Sequence, residues 1–413
     1  MNKRISLFRE REAHNHSPVT YIELFFDLVF VFAITQLSHH LQAHLSVQGS
    51  LETFILFLAV WWLWIYTSWT TNWLDPEHDH VRLMLIILML GGLALSASLP
   101  AAFGGSGIVF AGTYVALQVG RTAYAVWAAR GVFEARKRNF IRIAFYFLLA
   151  TPLWLLGAWL HNEARIAAWL AALAIEYAGP FLMFRTPFVG KSTIADWDIS
   201  GGHMAERCAL FIIIALGEAV LVTGASYADL THDWPTSIAF AMCFVGSATM
   251  WWIYFDVGAK RGSSLISTSH NAGRIARNAY TYLHMPIVAG IVVTAVGDSL
   301  MLTTPDASIT PAFLLTVLGG PFLFVLGNQG FKWITSSAKY PPLSHLIGEF
   351  LLLATAMLAW YQQLNLLITG ILGTLCLVVV ALWEWFSLHG GWQRWIPWIV
   401  RLGRWLPLPP DGK

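Results

Sequence analysis

Two carboxylates one helical turn apart, Glu23 and Asp27, lie inside an apolar run from Tyr21 to Leu41. Residues four apart share one face of a helix, and that face continues through Phe30, Ile34 and Ser38. An ionised carboxylate in hydrocarbon costs roughly 2.5–3.5 kcal/mol even on the mildest insertion scale, so such groups face protein or water rather than lipid. Neighbouring carboxylates attract cations, and their mutual repulsion favours a proton on one of them. The chemistry open to this stripe is therefore cation or proton binding along a buried path. The plainer reading is that acids suit the first turn of a helix, and it weighs more on Glu23 than on Asp27, one turn deeper.

A second polar group opens a later apolar run, where His203, Glu206 and Arg207 stand at the start and Glu218 three turns further in. Glu206 and Arg207 are neighbours and diverge by roughly 100° on a helix, so they cannot simply pair with each other. Each needs a partner on another segment. Arg207 is expected to neutralise Asp27 or Glu23, and a salt bridge that fixes helix order is the stronger reading for it. Glu218, near mid-membrane, is expected to be protonatable, so the transport-path candidates are Glu23, Asp27, Glu206 and Glu218. The charge-pairing candidates are Arg207, His203, Arg121 beside Gln118, Glu176 before Gly179-Pro180, and His345 with Glu349 on one helix face. So many ionisable groups in apolar runs imply a hydrated or charge-paired interior. Asp256 reads as interfacial, and His284 beside Pro286 as the partner of a freed carbonyl.

Other chemistries find no support. Phosphate-cradling glycine loops, nucleophile elbows and zinc-helix motifs are absent from the sequence, so no catalytic residue, enzyme activity, cofactor or metal is expected. His39, His40 and His44 fall at one membrane face and His78 and His80 at the other in the topology below, with no ligand set completed. Cys208, Cys243 and Cys376 are scattered through apolar runs and indicate no disulfide framework. A net charge of +2 offers no basic face for nucleic acid.

The elements that must position these residues are membrane spans. Of the 413 residues 57% are hydrophobic and only 12% charged, with a mean hydropathy of +0.59, too apolar for an ordinary soluble domain. At 1.5 Å per residue, runs long enough to cross recur near 22–41, 51–73, 81–99, 106–128, 141–160 and 166–184, then near 207–227, 237–257, 279–297, 311–327, 344–361 and 364–386. The polar first twenty residues show no cleavage site after the first run and read as an uncleaved signal anchor.

Short cytoplasmic loops should be the basic ones. Lys3, Arg4, Arg9 and Arg11 precede the first run, and alternate loops carry Arg82, then Arg136 to Arg138, Arg185 and Lys191, Lys260, Arg261, Arg274 and Arg277, and Lys332 and Lys339. The intervening stretches 42–50, 100–105, 228–236, 298–310 and 361–365 have no Lys or Arg, and Arg165 is the one exception. The expectation is an all-α membrane protein of twelve transmembrane helices with both termini cytoplasmic, in the inner or plasma membrane.

The halves resemble each other. Glu23 opens the first span as Glu206 opens the seventh, and Trp61-Trp62-Leu63-Trp64-Ile65-Tyr66 parallels Trp251-Trp252-Ile253-Tyr254-Phe255-Asp256. Six is an even number of crossings, so the halves form two parallel six-helix repeats with the first and seventh helices facing each other. The expected domains are a cytoplasmic segment 1–20, repeats at 21–185 and 203–388, a linker at 186–202, and a Trp- and Arg-rich amphipathic tail at 389–413.

The run Glu23-Leu24-Phe25-Phe26-Asp27-Leu28-Val29-Phe30-Val31-Phe32-Ala33, with His203-Met204-Ala205-Glu206-Arg207 leading to Leu216-Gly217-Glu218, resembles the bacterial low temperature requirement A family. That resemblance implies a multi-span membrane fold and a link to growth in the cold or under stress, and it names no activity. Phe26-Asp27 and the Val, Phe, Ala and Ile run after it are also similar to the Phe-Ser-Asp signature opening the first helix of the lysosomal and prokaryotic potassium channel family, built from six-span units. Here Phe25 takes the place before Phe26 and no Ser intervenes. The expected function is a transporter or channel for a proton or another small cation. The competing class is a membrane scaffold or lipid-interacting factor whose buried charges only hold helices together. The expected partners are the bilayer and the small ion, with the oligomeric state open.

Overall fold

The computed structural model describes residues 6–9, 18–269, 271–336 and 338–388, with the backbone alone at 194 and 195. The tail expected at 389–413 and most of the segment 1–20 lie outside the described residues. Among those described, the long elements are all helices, and extended pairing is confined to isolated bridges such as Phe8 with Leu74. In order they are α1 (Tyr21–Ala43), α2 (Val47–Trp73), α3 (Asp79–Ser98), α4 (Gly107–Ala128), α5 (Glu134–Trp159), α6 (Asn162–Phe181), α7 (Gly201–Ala228) and α8 (Trp234–Ile253). A π-helical turn at Tyr254–Gly258 carries α8 into α9 (Ala259–Thr268). Another at Ala276–Tyr282 joins α10 (Ala272–Ile275) to α11 (His284–Thr303). Then come α12 (Pro311–Val317), α13 (Gly319–Ile334), α14 (Leu343–Gln362) and α15 (Leu366–Leu388).

Ten helical runs among the described residues are long and apolar enough to cross a membrane, and the chain is a multi-pass membrane protein. The difference from the expected twelve is α4 and α6. They match the others in length but carry Gln118 and Arg121, and Arg165 and Glu176, in place of aliphatic residues.

The chain forms two compact units, Met1–Ile214 with Ile266–Arg277, and Ala215–Leu265 with Asn278–Lys413. At the centre of the first is α2, buried on every side from Ile55 to Trp73. A helix apolar all round belongs inside other helices, and α1, α4 and α6 pack around it. Its hydroxyls do not stay orphaned: Thr67, Ser68 and Thr70 each donate to the carbonyl four residues back. The segment expected as a linker is bound into this unit. Arg142 donates to Val189 O and to Asp196, the Trp73 indole donates to Asp198 O at 2.6 Å, and Trp197 packs on Trp69 and Trp73.

In the second unit α11 and α13 approach through small residues. A Cβ on Gly320 would come within 2.5 Å of Thr294 N, and one on Gly290 within 2.5 Å of Phe324 N. One expectation is corrected here. Lys332 is no loop residue: it lies buried in the last turn of α13, where Nζ donates to both Glu384 oxygens of α15 (2.6 and 2.7 Å) and to Ile253 O (2.7 Å). A buried ammonium is tolerated because all three donors find acceptors. Arg165 likewise buries its guanidinium, donating to the carbonyls of Ala102, Gly104, Gly157, Ala158 and Leu160.

Candidate functional site

The site begins at the N-terminus of α1. Thr20 precedes the helix in an extended conformation, and Glu23, three residues on, accepts its N–H at 3.0 Å and its hydroxyl at 2.9 Å on Oε2. This is the reciprocal half of a capping box, so Glu23 does serve the helix start. It also does more. Oε2 accepts from the Arg9 guanidinium at 3.0 Å, and Oε1 from His203 Nε2 and Arg207 Nη1, both at 3.0 Å.

One turn deeper, Asp27 Oδ1 accepts from Arg207 Nη2 at 2.6 Å and from the Trp64 indole at 2.7 Å. Arg207 therefore forks across both acids, the bidentate geometry for which a planar guanidinium is suited. Glu23, Asp27, His203 and Arg207 have side chains with no exposed surface. The other oxygen of Asp27, Oδ2, is buried with no hydrogen-bond partner.

Hydrogen bonding assigns the His203 tautomer. Ser200 N donates to Asn72 Oδ1, which leaves Asn72 Nδ2 to donate to Ser200 O and to His203 Nδ1. With Nδ1 accepting, the ring proton is on Nε2 and points at Glu23. His203 is then neutral, and two guanidiniums, Arg9 and Arg207, balance two carboxylates. Arg9 is delivered by a short strap in which its N–H donates to Trp73 O and the Asp75 N–H donates to Leu7 O, both at 2.9 Å, and Phe8 packs on Phe133. Its Nε donates to Thr71 O.

Of the other sequence candidates, Glu206 is half-buried beside the same helix start and accepts the Val19 N–H at 3.2 Å. Glu218, half-buried and eleven residues beyond Arg207 on α7, belongs to the second unit. Arg121 and Glu176 do not touch each other. Arg121 donates to Leu63 O, Thr67 Oγ1 and Gln118 Oε1, and Glu176 accepts from Tyr114 and Trp154. His345 and Glu349 do not pair either. His345 Nδ1 meets the Ser344 hydroxyl, and His345 Nε2 and Glu349 Oε1 have no hydrogen-bond partner. In the second unit His284 Nδ1 lies 2.9 Å from Ala279 O, and Nε2 lies 2.7 Å from the Tyr254 hydroxyl, so it serves a carbonyl at the π-helical turn.

Sequence reasoning missed Arg9, Trp64 and Asn72. A buried indole N–H needs an acceptor, and the run Trp61 to Trp64 beside an acid-bearing span was the available signal. Nothing in the spacing singles out Arg9 or Asn72.

The family described as Bacterial low temperature requirement A protein (LtrA) matches residues 18–383. An uncharacterized protein of Rhizobium meliloti (strain 1021) is 38% identical over 380 residues, or 92% of this chain and 91% of that protein. No solved structure matches the chain. The matched stretch starts just ahead of α1 and ends inside α15, so it takes in Glu23, Asp27, His203 and Arg207, and the chain belongs to the low temperature requirement A family of membrane proteins.

Proposed function

We propose that the protein moves a small cation across the bacterial plasma membrane, that the cation is a proton, and that Asp27 carries it. One observation supports this most: in a cluster where every other carboxylate oxygen is hydrogen-bonded, Asp27 Oδ2 has no partner. A carboxylate oxygen in low dielectric is stabilised by adding a proton when no donor reaches it. A metal cation fits less well, because Arg9 and Arg207 already balance both acids. The accompanying topology is twelve spans, α4 and α6 included, in two parallel repeats with both termini cytoplasmic, as the Lys/Arg distribution suggests.

The test is proton flux into liposomes carrying a pH-sensitive dye. Asp27→Asn keeps the shape and removes the titrating group. Flux should fall to the protein-free rate while the variant inserts and folds, and flux equal to that of the wild type would remove Asp27 from the mechanism. A second reading, a non-transporting scaffold, is favoured by the same charge balance, since a fully paired cluster can be purely a clamp between α1 and α7. Its signature is a wild-type protein with no flux and a strong loss of stability when either charge is removed.

A further inference from the structure

A second buried carboxyl group in the first unit is held without any cation. Glu176, on α6, is 2% exposed. Its Oε2 accepts the Tyr114 hydroxyl of α4 at 2.6 Å and its Oε1 accepts the Trp154 indole of α5 at 2.8 Å. Tyr114 Oη in turn accepts from Gln118 Nε2 at 3.0 Å, and Gln118 Oε1 accepts from Arg121 Nη2 at 2.6 Å. Three hydrogen bonds therefore run from Arg121 to Glu176, each donor pointing toward the carboxyl group. The titratable and charged groups facing Glu176 are Tyr114 and, through this chain, Arg121. From α2, Tyr66 lies under the Arg121 guanidinium with its ring centroid 5.5 Å away, and α5 contributes the uncharged Trp154.

Two opposed effects meet here. Burial with neutral donors alone disfavours the ionised form. An aligned relay ending on a guanidinium favours it, because polarised hydrogen bonds pass charge along a chain. Each carboxylate oxygen has two acceptor sites, and at Glu176 only one on each is used, which leaves room for a proton without displacing Tyr114 or Trp154.

We propose that Glu176 is a proton-binding site: a proton from water adds to a free lone pair of the carboxylate, taking it from −1 to neutral, and leaves by the reverse step. Tyr114 is the positioning residue and Arg121 keeps the proton exchangeable. The site is distinct from Asp27, since different groups of α2 serve the two: Trp64 donates to Asp27, whereas Leu63 O and Thr67 accept from Arg121.

Infrared difference spectra of the full-length protein in phosphatidylcholine nanodiscs, stepped in pH through neutrality, test it. A carboxylic C=O band should grow on acidification and shift in D2O, and one component of it should disappear in Glu176→Gln and persist in Asp27→Asn. Tyr114→Phe should move its midpoint to higher pH, because the ionised form loses a donor, and Arg121→Gln should move it the same way. Absence of this component, or a band that loses no component in Glu176→Gln, overturns the proposal, whereas a component lost only in Asp27→Asn belongs to Asp27. Should Glu176→Gln fail to fold, an unchanged midpoint in Tyr114→Phe overturns it instead.

Discussion

Glu23 and Glu176 are both buried acids of one unit, and they are held by opposite means. Glu23 takes five donors, two of them guanidiniums, whereas Glu176 takes two, both neutral. Position explains the contrast. Glu23 opens α1, where the Leu7 to Arg9 strap and the first turns of α7 can bring cations to it. Glu176 is enclosed by α4 and α5, whose facing residues there are aromatic. Asp27 stands between the two, with a guanidinium and an indole on one oxygen and nothing on the other. Compensation thus falls from Glu23 to Asp27 to Glu176.

The largest effect that could break this ranking is expected from Arg207→Met. It leaves Asp27 with only the Trp64 indole and takes one of two guanidiniums from Glu23. Removing one partner of a buried pair costs about 3–5 kcal/mol because the other charge stays behind. The thermal midpoint and folded yield in detergent should drop sharply, and wild-type values would show that the clamp does not hold the unit together.

Trp64→Phe comes next. It deletes one donor to a charged acceptor and keeps the ring, for about 1.5–3 kcal/mol, and double substitution with Arg207→Met should be non-additive because both act on Asp27 Oδ1. Glu176→Gln should cost less, about 1 kcal/mol, since an amide oxygen still accepts from a neutral donor and no buried cation loses a direct partner. Equal losses in Glu176→Gln and Arg207→Met would collapse the distinction between the two acids.

How far the sequence anticipates this arrangement follows from the range of the forces involved. The acid stripe of α1 and the need of Arg207 for a partner on another helix are legible because burying a lone charge is costly wherever it happens. The helices themselves are legible from apolar length, and α4 and α6, where buried polar residues dilute that length, are the two expected spans that fall outside the ten. What stays hidden is which group meets which charge. Arg9 reads as one more basic residue of a polar segment, yet a two-residue backbone pairing with α2 carries it to Glu23. Lys332 reads as a loop charge because the apolar run expected there ends near residue 327, and only packing reveals Glu384 opposite it. Arg121 and Glu176 invite pairing by sign, but Gln118 and Tyr114 fill the gap between them.

The smallest effect sharpens the comparison by separating burial from donor type. Asp233 caps α8 and, like Glu176, is held by neutral donors: its Oδ1 accepts the Thr236 N–H at 2.9 Å. Asp233 is in water, however, and there the Thr236 N–H, with help from the Thr236 side chain, outweighs burial and holds its carboxyl below the usual aspartate range. A group whose pKa is lower folded than unfolded stabilises the fold above its unfolded value and loses that contribution as pH falls through the folded value. Asp233→Ala should therefore lower the thermal midpoint slightly at neutral pH, with the difference from wild type vanishing on acidification. If the difference instead persists in acid, the cap acts through something other than its charge, and Asp233 no longer serves as the exposed counterpart that makes burial the deciding variable at Glu176.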